Sequence, residues 1–497
     1  MDRNIRFLLV AFDGLRPDMA TDELAPNLAR FRRQGVDFTD CRAVFPTETR
    51  VNQASLITGC QPARHGIVAN KFVEPAAGGY LNTKNFDELA AADEALGGGL
   101  LGVPSLGEVL DAEGAALAVV GCGTAGGNRI LHHRAASLGA LNMSLHGIDK
   151  STTPGLAEAL VAKIGPLPGA AIPNLAQIDW VVDAYMREVA PTRDPAVTIL
   201  WFSDPDAPFH FRGIESAEAT EAIRHADAAF GRLLDWRRSS GQDETLQIVA
   251  FSDHGHVRTH GPTLDLSQRM VAAGFRLGPA IDDGCDAVLI PGTTASLYVR
   301  DAATQAGIVE WLQAQAWCGP IFARAMDGGR LPVGALALAE ANLDHARAGD
   351  VVFVLARDDE AAPGKVAGRC LHDNPEIPEG HGLHGGLSRY EIRTLLAFSG
   401  SCFQAETTVG TPAGIVDVMA TLLHALGIDE GPAMDGRILH EALAGNSVPH
   451  DGAERAEAAA GNQAGYAQRL ATDTVAGTRY LTGGWREGME KLDGLVG

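Results

Sequence analysis

Short, nearly continuous apolar runs alternate along this chain with longer stretches in which apolar residues recur at helical spacing. The runs RFLLVAF (6–12), ALAVVG (116–121), AVTILWFS (196–203), TLQIVAFS (245–252) and IRTLLAFSG (392–400) read as strands buried on both faces. Helical periodicity marks PNLARFRRQG (26–35), PSLGEVLDAEG (104–114), AQIDWVVDAYMREVA (176–190) and the long stretch 216–241. Strands separated by helices predict an α/β fold, a mainly parallel central sheet covered by helices on both faces. The segment 264–379 differs. Its runs CDAVLI, ASLYVR and DVVFVLA, with a helix over 304–316, predict a smaller α+β insertion. That insertion is expected to interrupt a core of 1–263 and 380–450, because metal-ligand residue types resume at His384. The Gly/Ala-rich stretch 76–102 is expected to be a long loop, and the polar, Ala-rich tail 451–497 a helical extension on the outside. No internal repeat stands out.

Composition narrows the class. Of 497 residues, 46% are apolar and 21% charged, an ordinary globular balance. Asp and Glu outnumber Lys and Arg by 62 to 40, a formal charge of −22, which argues against a broad footprint for nucleic acid or anionic membrane. That acidity can simply keep the chain soluble, but an acidic protein that handles phosphate needs local positive charge, and bound metal supplies it. Seven scattered cysteines with no CxxC pair exclude a disulfide scaffold or a zinc ribbon. The apolar run 7–12 is short, interrupted by Asp13 and followed by no cleavage site, so it reads as a strand rather than a signal peptide. No window reaches the roughly 18 apolar residues of a membrane span. A cytoplasmic location is expected, with no nucleic-acid polymer and no membrane as partner; oligomeric state leaves no mark in the sequence.

Three of the strands end in metal-ligand residue types: Asp13 after FLLVAF, Asp206 with His210 after AVTILWFS, and the pair Asp253-His254 after LQIVAFS. In an open parallel sheet the carboxyl ends of strands line one edge, where ligands bind. Carboxylates mixed with imidazoles suit zinc, with manganese or iron as alternatives. One acid after a strand is commonly a turn or cap residue; three, two of them accompanied by histidine, point to a site. A fourth piece, PTETRVNQASLITG (46–59), sets Thr47 and Thr49 before a helical pattern expected to begin near Asn52 and end at Gly59. Thr49 there is either a helix N-cap or a nucleophile at a helix N-terminus that favours anions.

Together these residues resemble the alkaline phosphatase superfamily, in its type I phosphodiesterase/nucleotide pyrophosphatase branch. The matching pieces are AFDGLRPD, FPTETRVNQASLITG, QPARHGIVAN, DPDAPFH, SDHG and HGLHGG, in family order across residues 7–386. The resemblance implies a phosphohydrolase with two divalent metal ions, zinc first. Asp13, Thr49, Asp253 and His254 would surround one ion and Asp206, His210 and His384 the other. It further implies Thr49 as nucleophile, a covalent phosphothreonine, and Asn70 as donor to a phosphoryl oxygen. His381 competes with His384 for the last ligand, and His384 is favoured because HGG continues as in the family. His256 and His260 are expected in supporting or surface positions. The implied chemistry is an in-line displacement between ions roughly 3.5–4 Å apart.

One departure bears on substrate. Where nucleotide pyrophosphatases carry an aromatic residue after the nucleophile, this chain has Arg50, and Lys71 follows Asn70. A guanidinium pairs bidentately with phosphate or carboxylate, so Arg50 and Lys71 are candidate substrate-binding residues. A small phosphorylated or phosphonate substrate is expected. A phosphodiesterase is the first reading, with a phosphonate hydrolase of the phosphonoacetate hydrolase kind or a phosphomonoesterase as alternatives. A phosphomutase or a non-catalytic metal-binding protein is more remote. A sulfatase lacks its C/S-x-P-x-R context here.

Overall fold

The first strand, Arg6–Phe12, is buried on both faces. Phe7, Leu9 and Ala11 enter one apolar cluster, and Leu8, Val10 and Phe12 enter another. Such a strand belongs inside a sheet covered on each side. In this computed structural model, which describes residues 4–495 apart from 283, 362–364, 429–430, 446–451 and 490, that sheet has eight strands. They are β1 (Arg6–Phe12), β2 (Val36–Phe38), β3 (Leu117–Gly121), β4 (Asn142–Ser144), β5 (Val197–Phe202), β6 (Leu246–Phe251), β7 (Leu396–Ser399) and β8 (Thr407–Val409), in spatial order β8-β2-β7-β6-β1-β5-β3-β4. The five strands from β6 to β4 are mutually parallel. β7 runs antiparallel to both of its neighbours.

Helices cover both faces. α1 (Pro26–Gln34), α3 (Leu175–Ala184) and α4 (Ala217–Ser239) bury Leu28, Phe31, Ile178, Val181 and Phe230 on one side. α2 (Thr49–Thr58) and α5 (Asp417–Ala425) bury Val51, Ala54, Ile57, Met419 and Leu422 on the other. At the end of α1 a Cβ on Gly35 would sit 2.1 Å from the Phe398 carbonyl oxygen, so only glycine lets the helix end approach β7.

The segment expected as an insertion builds a five-stranded sheet from Ala287–Ile290, Thr294–Val299, Cys318–Ala323, Leu336–Ala337 and Val351–Leu355, carrying the helix Ala302–Gln313 and its own apolar cluster. Its exit is woven into the core. Arg369–Cys370 pairs in parallel with Val257–Thr259, which pairs on its other edge with Gly382–Leu383. This small sheet carries the chain after β6 and the chain before His384 side by side.

Three expectations are corrected. The stretch 76–102 is not one long loop: Gly79–Asn82 pairs with Lys71–Glu74, and Asn85 caps the helix Phe86–Ala95, which buries Leu89 and Ala92. α2 begins at Thr49, not near Asn52. The tail is not helical. Glu454–Gly461, Ala467–Val475 and Thr478–Arg486 form an antiparallel meander. Ala and Glu favour helix, but Leu470, Val475, Tyr480 and Leu481 are buried in the main core only as strand faces, and packing overrides propensity. Residues 446–451, where the core was expected to give way to the tail, lie outside the described residues.

Candidate metal centre

β6, β1 and β5 are adjacent, and their carboxyl ends deliver the strand-end acids to one place. Backbone bonds latch the three ends together. The amide of Asp206 donates to the Asp13 carbonyl (3.1 Å), and the amide of Gly14 donates to Asp253 Oδ1 (3.1 Å). Trp201 Nε1 donates to Asp13 Oδ2 (2.8 Å), which aims Oδ1 inward. Asp13 Oδ1 and Asp253 Oδ2 are buried and meet no donor among the described residues, yet lie 3.5 and 3.4 Å from His254 Nε2. Thr49 Oγ1 is 3.1 Å from the same nitrogen. Thr49 is the first helical residue of α2, after Glu48 at the N-cap, so its hydroxyl is not occupied in capping.

A second set adjoins the first. His210, one turn after Asp206 on the helix Asp206–Arg212, brings Nε2 to 3.2 Å from Asp206 Oδ1. His384 Nε2 is 3.5 Å from that oxygen, and its ring stacks on His254 at 3.7 Å. His381 points elsewhere, its Nδ1 donating to the His210 carbonyl (2.7 Å). The structure thus brings together Asp13, Thr49, Asp253 and His254, and beside them Asp206, His210 and His384, with His384 rather than His381.

The imidazole tautomers say what the sets can hold. Nδ1 of His210 donates to the Gly382 carbonyl (2.8 Å), Nδ1 of His384 to the Thr47 carbonyl (2.8 Å), and Nδ1 of His254 to the Gly255 carbonyl (3.1 Å). Each Nε2 therefore turns a lone pair toward carboxylate oxygen, an arrangement that calls for a cation between them. Burial, with Asp253 and Asp206 nearby, holds the Asp13 carboxyl well above its usual range, and burial likewise raises Asp253. Burial opposes ionisation of Asp206 too, but where His210 and His256 carry a proton on Nε2 they outweigh it and hold that carboxyl well below its usual range. Three carboxylates crowded in low dielectric, two of them with an unpaired oxygen, fit divalent metal ions.

Four residues complete the wall. Glu48 accepts the backbone N–H of Asn70, and Asn70 Oδ1 accepts the N–H of Arg50 (3.3 Å), leaving Nδ2 of Asn70 as its free donor. Burial pushes the Glu48 carboxyl up, against the pull of that amide. Arg50 is half-buried, and its Nε meets no hydrogen-bond partner; burial lowers its pKa while Glu48, Asp13, Asp206 and Asp253 oppose the shift. Lys71 is exposed at the start of Lys71–Glu74. Sequence reasoning missed Trp201, which left no signal beyond a buried strand. His256, expected in a supporting or surface position, sits in the Asp206 set, with Nε2 3.0 Å from Asp206 Oδ1. The alternation of His254 and His256 in D-H-G-H, two residues apart on extended chain, was the available clue. His260 lies apart, between Glu379 and Asp493.

The family model for type I phosphodiesterase / nucleotide pyrophosphatase matches residues 7–384. Among curated relatives, the ectonucleotide pyrophosphatase/phosphodiesterase family member 7 of Rattus norvegicus is 24% identical over 296 residues, 58% of this chain and 58% of the relative. Family member 1 of the same organism is 22% identical over 255 residues, 50% of this chain and 24% of the relative. The bis(5'-adenosyl)-triphosphatase enpp4 of Xenopus laevis is 41% identical over 69 residues, 14% of this chain and 15% of the relative. The matched stretches thus cover less than two thirds of each of these relatives.

Proposed function

The chain belongs to the type I phosphodiesterase/nucleotide pyrophosphatase family, and from that premise we propose that it is a two-metal phosphohydrolase whose nucleophile is Thr49. The observation that carries this reading is the hydroxyl of Thr49, 3.1 Å from His254 Nε2 in a pocket shared with the unpaired oxygens of Asp13 and Asp253. Asp13, Thr49, Asp253 and His254 would hold one ion and Asp206, His210 and His384 the other. Bound divalent ions, zinc first and manganese or iron as alternatives, would ease loss of the hydroxyl proton and offset charge on the phosphoryl oxygens.

The chain's own groups do the rest. The N-terminus of α2 favours an anion beside Thr49. Asn70 Nδ2 donates to a non-bridging oxygen, held in place by Glu48 and the Arg50 amide. A bond forms from Thr49 Oγ1 to phosphorus as the bond to the leaving oxygen breaks, and water then hydrolyses the phosphothreonine. Arg50 favours a substrate with a second anionic group. For that reason a phosphonate or a phosphomonoester stands beside the phosphodiester as a second reading.

Replacing Thr49 with Ala should leave the fold and most ligands intact while lowering turnover by about 10³-fold or more. Turnover of a diester, a monoester and a phosphonate, with elemental analysis of wild type and variant, is the measurement. Near-normal turnover by a folded, metal-loaded variant would return Thr49 to a structural role, and fewer than two ions in active wild type would count against the paired sites.

A further inference from the structure

We propose that His256 is a fourth protein ligand to the ion assigned to Asp206, His210 and His384, making that position a cage of one carboxylate and three imidazoles that substrate oxygen would join as a fifth ligand. The inference rests on the two-ion reading above and adds to it a residue that reading does not use.

The geometry comes first. The rings of His210, His256 and His384 form a nearly equilateral triangle, with centroids 5.0, 5.1 and 5.0 Å apart. Their Nε2 atoms converge on one oxygen, Asp206 Oδ1, at 3.2, 3.0 and 3.5 Å. Ligands held at roughly 2.0–2.1 Å in a tetrahedron lie about 3.3–3.4 Å from one another. Those three separations therefore have the size of the edges of a tetrahedron around a single ion.

The ring of His256 is also fixed in its aim. It is fully buried, with Phe209 edge-on at 5.0 Å. Two glycines make room for it: a Cβ at Gly14 would come within 2.6 Å of Nε2, and one at Gly382 within 2.9 Å of Nδ1. Nothing among the described residues hydrogen-bonds its Nδ1, whereas His210, His254 and His384 each donate Nδ1–H to a carbonyl. His256 is thus the least supported of the three imidazoles in the cage.

That cage would draw four protein ligands, none of which reacts, whereas the neighbouring set draws three residues and the reacting Thr49. The two ions should then differ in retention, the one at Asp206 leaving last.

Anomalous diffraction at the zinc edge from crystals of the zinc-loaded protein decides the matter, paired with zinc affinity by chelator competition for wild type, His256→Ala and His260→Ala. The expected result is zinc about 2.0–2.1 Å from His256 Nε2. His256→Ala should weaken the tighter site beyond the roughly 10–100-fold typical of losing an outer hydrogen-bond partner, and His260→Ala should leave it unchanged. Zinc held by Asp206, His210 and His384 alone, with His256 donating to Asp206, overturns the inference and leaves the proposed function standing. Active protein with no ion at either set overturns both. Should His256→Ala fail to fold, the wild-type diffraction map still gives the answer.

Discussion

Arg50 is where, under the proposed function, a single side chain would decide between substrates. Its Nε is buried and unpartnered, and four carboxylates act on its charge from nearby. Such a guanidinium is poised for an incoming anion rather than for a flat base. Arg50→Ala should weaken kcat/KM for substrates with a second anionic group by roughly 1–3 kcal/mol, the scale of a lost charged hydrogen bond. Neutral aryl phosphodiesters should be nearly unaffected. Equal losses in the two substrate classes would assign Arg50 to the phosphoryl group or the fold. Much of the site at this scale was legible in the sequence, because Asp13, Asp206 and Asp253 each end an apolar run and strand ends converge in a parallel sheet. His256 was legible only as a supporting or surface residue. Its partners, Asp206, Gly14 and Gly382, come from distant segments, and only the folded chain shows that the two glycines clear space for its ring.

Between elements, α2 is clamped to the turn that follows it. Ile67 N–H donates to His65 Nδ1 (3.1 Å), so Nε2 keeps its proton and donates to Ser55 Oγ of α2 (2.9 Å). Burial, with His345 and Arg347 adding, lowers the His65 pKa from 6.5 to about 3. The unfolded chain therefore takes up a proton near pH 6.5 that the folded chain refuses until about pH 3. The stability His65 confers is complete above pH 6.5 and declines as pH falls through that window, by up to about 1.4 kcal/mol per pH unit. His65→Gln should lower stability at pH 7 yet give a shallower loss between pH 6.5 and 4.5, read from urea unfolding at several pH values. Parallel pH profiles for the two proteins would refute the clamp. The sequence disclosed the long elements well, since 217–239 keeps helical spacing and 246–251 a continuous apolar run. It disclosed boundaries less well. α2 starts three residues earlier than its apolar pattern, because Glu48 and Thr49 face the site rather than the core. The tail misled by composition, since the burial that makes it sheet comes from the core it packs on.

Across the whole molecule, the C-terminal meander joins what the chain order separates. Leu470 and Tyr480 enter the main core, while Tyr466 and Leu492 enter the core of the insertion. Gln468 accepts from the amide of Ile321 (2.7 Å) and donates to its carbonyl (2.9 Å), standing in for a strand partner of the insertion. On the other side, Asp473 accepts from Arg42 (2.7 Å), with side chains only 3% and 2% exposed, and also from Arg455 (3.1 Å), whose side chain is 71% exposed. One carboxylate thus meets a buried and an exposed guanidinium, and physical chemistry treats them differently. Asp473→Ala leaves Arg42 buried with Asp40 as its remaining carboxylate partner (2.6 Å), so the loss should fall near the low end of a broken buried pair, about 3 kcal/mol. Arg455→Ala removes only the solvent-screened partner and should cost under about 1 kcal/mol. Because the meander belongs to both cores, wild type should unfold in urea as a single transition, and Asp473→Ala should lower its midpoint. Neither substitution touches the ligand sets, so zinc content should hold in both variants. Equal, small losses for the two substitutions would mean that the Arg42–Asp473 pair does not anchor the meander, and a wild-type transition in two steps would mean that the meander does not couple the cores.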